Sequence, residues 1–153
     1  MNSLISKFYS AFTELDAEAM VSYYHDDVIF QDPAFGVLKG ERAKNMWRML
    51  CQSQKGKDFK VKYSKVTSNG IYAKAHWEAH YNFSQTGRKV HNKIEASFEF
   101  KNGLIVRHND SFDLRAWAKQ AMGFKGIVLG GTSYFQRKLH EQTNGMLDKF
   151  EAK

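Results

Sequence analysis

Through the N-terminal third of the chain the apolar residues recur at helical spacing, and further on they alternate. Ile5, Phe8, Tyr9, Phe12 and Leu15 fall on one stripe, which predicts a helix from about Asn2. Asp16 is placed to cap a second, short helix running through Met20, Tyr23 and Tyr24. The polar run "HDD" breaks that pattern, and "VIFQD" reads as a strand halted by Pro33. A third helix is expected from Gly40, with Ala43, Met46, Trp47 and Leu50 on its buried stripe.

The period then falls to two. Four strands are predicted, over about residues 59–67, 71–84, 88–101 and 104–113, joined by "SNG", "QTG" and "KNG". Short glycine-containing connections of this kind make hairpins, so the four form an antiparallel meander. A short helix around residues 116–122 should end at Gly123, and "GFKG" with the later "GG" read as caps and turns. A last helix, starting with Ser133 and Gln136 in capping-box spacing, carries Phe135, Leu139, Met146, Leu147 and Phe150. The expected class is α+β: a curved antiparallel sheet with helices packed into its concave side.

The alternation assigns faces. Ile71, Ala73, Ala75, Trp77, Ala79, Tyr81 and Phe83 share one side of the second meander strand, opposite His76, Glu78 and His80. Polar residues on the apolar side are then the informative ones: Asp32, in phase with Val28 and Phe30, together with Asn92, His108 and Asp110. Tyr9, Trp77 and Tyr81 each add a polar edge. Such a set suits a pocket for proton transfer, because an Asp in apolar surroundings holds its proton more tightly and a carboxylate beside a histidine orients the ring. The alternative is a buried His–Asp pair that braces the sheet.

Composition narrows the setting. With 153 residues, 42% hydrophobic and 14% aromatic, the chain supports one domain with a real core. The core is expected over about residues 1–122, with a helical extension over about 123–153. Cys51, the only cysteine, cannot form an internal disulfide and sits among helical apolar residues, as a buried structural thiol does. The opening "MNSLISKFYSAF" lacks the pattern of an export signal, and no stretch approaches transmembrane length, so a cytoplasmic location and no membrane partner are expected. The net charge of +7 raises the question of nucleic acid, but basic and acidic residues are interspersed along the strands, which leaves it a minor alternative. No cofactor motif is present. His76 and His80 would chelate a metal on a helix, but on a strand they stand about 13 Å apart, so no metal site is expected from that pair.

Helices, a short strand and a four-stranded meander in this order resemble the nuclear transport factor 2-like superfamily, over nearly the whole chain up to Met122. "YYHDDVIFQDPAFG" (residues 23–36) is similar to the stretch of ketosteroid isomerases that carries their catalytic Asp, which there also precedes a Pro. The resemblance maps that base onto Asp32 and places Tyr9 close to the isomerases' oxyanion-hole Tyr. Their second oxyanion donor, an Asp, falls at Ala96, which argues against steroid isomerisation. "HNDSFDLRAW" followed by "QAMG" is similar to SnoaL-like polyketide cyclases and their relatives.

The resemblance therefore implies a cone-shaped fold with an internal pocket for a small apolar molecule. Asp32, His108, Asp110 and Tyr9 would be the catalytic residues of a cofactor-free isomerase, cyclase or epoxide-hydrolase type reaction. Asn92, Trp77, Tyr81, Phe98 and Phe112 would bind the ligand. A non-catalytic binding module or scaffold of the same fold is the alternative. A homodimer through the outer sheet face is also expected, weakened below about pH 6 if His76, His80 and His91 lie together there.

Overall fold

The computed structural model describes residues 2–153, arranged as six strands and six helices. Helix α1 (Asn2–Thr13) buries Ile5, Phe8, Tyr9 and Phe12. A turn leads to α2 (Ala17–Ser22), whose cap is Asp16, accepting from the Ala19 N–H. The helix ends earlier than its periodicity suggested. Tyr24 opens strand β1 (Tyr24–Asp32), and the "HDD" run belongs to this strand rather than to a loop. The polar run is accommodated because pairing is irregular between Tyr24 and Ile29, which lets Asp26 and Asp27 face solvent. Pro33 then stops β1, as expected.

Strand β2 (Gly36–Lys39) forms a hairpin with β1 and was not legible, since four residues carry too little pattern. Helix α3 (Glu41–Gln54) buries Ala43, Met46, Trp47 and Cys51. Burial pushes the Cys51 thiol up to about 11, which suits an inert core residue. The meander follows as β3 (Lys60–Ser68), β4 (Tyr72–Asn82), β5 (Lys89–Lys101) and β6 (Leu104–Ser111).

The sheet order is β2-β1-β6-β5-β4-β3, and every junction is antiparallel except β1 with β6, which is parallel. That one seam departs from an all-antiparallel sheet. It lets the N-terminal β1–β2 hairpin dock beside the last meander strand, setting Phe30 against His108. Helix α1 packs across the concave face on β3 and β4, so one apolar cluster runs from α1 through α3 to the sheet.

Helix α4 (Leu114–Met122) is capped by Asp113, which accepts from the Ala116 N–H. The "GFKG" segment is not only turn: α5 (Phe124–Leu129) follows directly. Gly126 makes this possible, since a Cβ there would stand 2.0 Å from the Ala118 carbonyl oxygen. Helix α6 (Ser133–Glu151) begins one residue earlier than the proposed capping box implied. Its cap is Thr132, whose hydroxyl accepts from the Phe135 N–H. Leu147 of α6 is fully buried in the main cluster, while Phe135 and Leu139 join Val90, Trp117, Ala118 and Ala121 in a second one. Among the described residues no helix is long and apolar enough to cross a membrane.

Candidate functional site

His108 and Asp110 come from alternate positions of β6, so both point into the apolar cluster; they are 1% and 4% exposed. They meet: the His108 Nε2 lies 2.9 Å from Asp110 Oδ1. A chain of hydrogen bonds settles the tautomer. The indole of Trp47 donates to Tyr24 Oη at 2.8 Å, and an indole N–H cannot accept. Tyr24 therefore directs its own proton to His108 Nδ1, 2.6 Å away. That leaves Nε2 carrying the ring proton and donating to Asp110. The Trp77 indole also donates to Asp110 Oδ1, at 3.3 Å. The imidazole is stacked on Trp47 at 5.9 Å and 10°, with Phe98 at 4.4 Å. Both ring nitrogens are engaged, and Asp110 is aimed from two sides through a single oxygen.

Asp32 sits at the end of β1, where the chain turns at Pro33. Its Oδ1 accepts from the backbone N–H groups of Ala34 (3.0 Å) and Phe35 (2.6 Å), an Asx-type turn that uses one carboxyl oxygen and leaves Oδ2 out of both bonds. The residue keeps some exposed surface, yet its carboxyl is deep enough for desolvation to dominate. Burial pushes its pKa up to about 7; the two backbone N–H groups oppose this, and the charge of Asp110 adds to it.

Three phenols surround the carboxyl groups. Tyr9, on α1, is fully buried, and its hydroxyl is the one buried side-chain polar atom among the described residues without a hydrogen-bond partner. It stacks on Tyr63 at 5.5 Å, and burial followed by the Asp110 charge raises its pKa well above 10.0. Tyr81, on β4, accepts from the Trp117 indole of α4 at 2.7 Å; burial raises its pKa, and the charge of Asp32 contributes. Tyr24 is raised by burial as well, and both Asp110 and Asp32 act on it. Asp110 thus lies within electrostatic reach of both Asp32 and Tyr9, and Asp32 within reach of Tyr81.

The remaining candidates line the same concave surface. Trp77 and Phe98 are buried, whereas Phe112 and Asn92 are half-buried, with Asn92 in register with Ala79. Ala96 lies directly across from Asp110. Ala34, Tyr81 and Phe112 touch both apolar clusters, which places the Asp32 side of the site at the seam between the sheet core and helices α4 and α6. Surface clefts lie elsewhere: one of about 540 Å³ lies between the α1–α2 turn and α3, and two others open on the outer sheet face.

Tyr24, Trp47 and Trp117 were missed as site residues. Tyr24 had been placed at a helix end, and no pattern within one segment shows that an indole of α3 and a phenol of β1 converge on a histidine of β6. The signal available was chemical: a buried histidine needs partners for both ring nitrogens.

The chain matches the SnoaL-like domain family over residues 5–108. Among curated proteins none matches it in sequence. Solved structures share its fold. A candidate polyketide cyclase from Xanthomonas campestris pv. campestris is 20% identical with a TM-score of 0.62, over 77% of this chain and 93% of that one. An LEH-like epoxide hydrolase of M. tuberculosis is 20% identical with a TM-score of 0.60, over 84% and 89%. A protein with a ketosteroid isomerase-like fold from Catenulispora acidiphila DSM 44928, in complex with trimethylamine, is 12% identical with a TM-score of 0.63, over 77% and 91%.

Proposed function

The chain belongs to the SnoaL-like domain family, and on that premise we propose that it binds a small, largely apolar molecule and performs cofactor-free general acid–base chemistry on it. The observation that carries this reading is Asp32, a carboxyl group pushed up to about 7 beside a second carboxyl, Asp110. Near neutral pH both of its protonation states are populated, which is the condition a proton-transferring group needs.

Asp32 takes a proton from a C–H adjacent to a carbonyl. The bonding electrons move toward the carbonyl oxygen, which accepts a hydrogen bond from the free Tyr9 hydroxyl. Asp32 then returns the proton at another carbon, which completes an isomerisation; in a cyclisation the carbanion instead bonds to a second carbonyl carbon of the same molecule as its C=O π bond opens, and the proton goes to that oxygen. The hydrolase variant places a water between Asp32 and Asp110: the ionised Asp110 takes the water's proton as its oxygen bonds to an epoxide carbon, and the protonated Asp32 gives its proton to the epoxide oxygen as that carbon–oxygen bond breaks. Asp110 raises the proton affinity of Asp32 through its charge. His108, enclosed and engaged at both nitrogens, acts as a positioning residue for Asp110. Asn92 and Tyr81 orient the molecule, and Trp77, Phe98 and Phe112 form its apolar wall. Entry is at the seam, where Asp32, Asn92, Tyr81 and Phe112 retain exposed surface.

A second reading, a binding or scaffold module without turnover, is favoured by the filling of the interior. Phe8, Tyr9, Trp47, Phe98 and His108 pack ring against ring. Carboxyl NMR titration separates the two readings when combined with a mass-spectrometric survey of copurifying molecules. Asp32 titrating near 7, coupled to Asp110, with an apolar carbonyl compound or epoxide turned over by wild type and not by Asp32→Asn, is the expected result. Two independent carboxyls with ordinary values would overturn the acid–base reading.

A further inference from the structure

The outer face of the sheet carries a second group of chemically capable side chains, on the opposite side from Asp32 and Asp110. His80 of β4 and His91 of β5 are directly paired across the strands, and their rings stack with centroids 3.9 Å apart at 23°. Glu78 precedes His80 by two residues, so it projects from the same face of β4. One ligand atom from each of Glu78, His80 and His91 lies within 4.8 Å of the other two. Two imidazoles and a carboxylate are a donor set that zinc and neighbouring divalent ions take up, leaving further coordination positions open.

We propose that Glu78, His80 and His91 bind a divalent transition-metal ion of the zinc class on the outer sheet face. Ligands about 2.1 Å from a tetrahedral ion stand roughly 3.4 Å from one another, so the His91–Glu78 pair, 2.5 Å apart, opens by about an ångström as the His80 ring closes in by a similar amount. Their surroundings permit it, since His91 is 41% and Glu78 27% exposed along the side chain.

The hydrogen bonds already point to where the ion would sit. The His91 Nε2 donates to Glu78 Oε1 at 2.5 Å, and the ion replaces that shared proton. Glu78 Oε2 accepts from His76 Nε2 at 2.7 Å, and His76 is braced on its other side by Glu95 at 2.5 Å. His76 is thus an outer partner that holds the carboxylate in place without being a ligand. His80 takes part in none of the side-chain hydrogen bonds found on this face, so its nitrogens are available.

The spacing of His76 and His80 along one strand had argued against a metal. The ligand that completes the set comes from the next strand, which only the register supplies. Lys60 and Lys62 of β3 are in register with His80 and Glu78, and their charges oppose a cation and weaken its binding. The open positions face a cleft of about 380 Å³ lined by Lys60, Lys62, Lys89 and Gln120 besides the two histidines.

Titration of Zn²⁺ alone into the full chain in chelator-free buffer, followed by calorimetry, tests this. The expected result is one ion per chain with micromolar affinity, weakened at least about a hundredfold in both His80→Ala and His91→Ala and by only about tenfold in His76→Ala, which loses an outer partner and no ligand. Circular dichroism of each variant without metal controls for folding; because the His80 side chain makes none of those bonds, His80→Ala remains the decisive variant if His91→Ala misfolds. Undetectable or non-stoichiometric binding, or wild-type affinity in His80→Ala, overturns the proposal. So does loss of binding in Asp32→Asn, which would put the ion among the interior carboxyls instead.

Discussion

His140, on α6, donates from Nε2 to the main-chain carbonyl of Pro33, the residue that follows Asp32, at 2.8 Å. Thr143 and Asn144 on the same helical face donate to the next two carbonyls, those of Ala34 and Phe35, at 2.9 and 3.0 Å. One turn of backbone is therefore held from both sides. Its N–H groups grip the Asp32 carboxylate, and its carbonyls are gripped by a helix outside the residues matched to the family, 5–108. The ring of His140 stands 3.3 Å from where a Cβ on Gly36 would be, and Gly36 has φ 76°, so any side chain there is both strained and obstructed. Asn144→Ala should cost about 1 kcal/mol in urea unfolding and Leu147→Ala about 2–5 kcal/mol. Asn144→Ala should also move the pKa of Asp32, and an unchanged titration would show that α6 does not set the turn.

Asp32→Asn separates stability from function. A carboxyl raised from 3.8 to about 7 on folding holds more protons in the native state across that window, so wild-type stability falls as pH rises through it. The loss amounts to at most about 4 kcal/mol and is complete above pH 7. The amide keeps the acceptor for the Ala34 and Phe35 N–H groups and carries no charge. Asp32→Asn should be more stable than wild type at pH 8, equal to it near pH 3, and inactive throughout. Thermal melts at the two pH values check the sign.

Tyr9→Phe removes a buried hydroxyl that has no hydrogen-bond partner among the described residues. Leaving a polar group buried and unpaired costs about 1–3 kcal/mol, so this variant should gain about 1 kcal/mol or more in stability. If the hydroxyl serves a bound carbonyl, ligand affinity or turnover falls at the same time. Urea unfolding beside ligand titration reads both; a destabilised variant would mean that the hydroxyl is already satisfied.

His108→Ala strips Tyr24 and Asp110 of a common partner and opens a cavity between Trp47 and Phe98. The expected cost is about 3–5 kcal/mol. Asp110→Asn should cost less, because the amide oxygen still accepts from the Trp77 and His108 N–H groups, while it removes the charge that helps raise the pKa of Asp32. In that variant the Asp32 carboxyl should titrate lower than in wild type by NMR.

Acid stability depends on the outer face. The pKa of His80 is lowered from 6.5 by burial, then by His91 and Lys62, so the unfolded chain binds its proton more readily. The contribution from His80 is present above pH 6.5 and lost as pH falls below it. His76 has the opposite sign: Glu78 and then Glu95 raise its pKa, so its contribution is present below 6.5 and lost as pH rises through the raised value. His80→Ala should flatten the fall in melting temperature between pH 7 and pH 5, and His76→Ala should steepen it.

Most of the architecture was legible because local rules and the tertiary fold agree. Glycine turns and period-two alternation located the meander strands to within a residue or two, and the face assignment put His108, Asp110, Trp77 and Phe98 inside, where they are. The failures were local and short. Tyr24 reads as helix by spacing but enters a strand, because a β6 neighbour supplies hydrogen bonds that spacing along one segment does not reveal. Strand β2 and helix α5 were too brief for periodicity to register.

What the sequence determined by itself was the fold class and the set of polar residues turned toward the core, since side-chain direction in a strand follows from a two-residue period alone. What only the tertiary structure decided was who meets whom. The Trp47–Tyr24–His108–Asp110 chain joins α3, β1 and β6; the α6 grip joins residues more than a hundred positions apart; the Glu78–His80–His91 triangle needs the β4–β5 register. Hydrogen bonds and metal ligands act within about 3 Å, and at that range partners are chosen by how the strands and helices pack, which no single segment encodes.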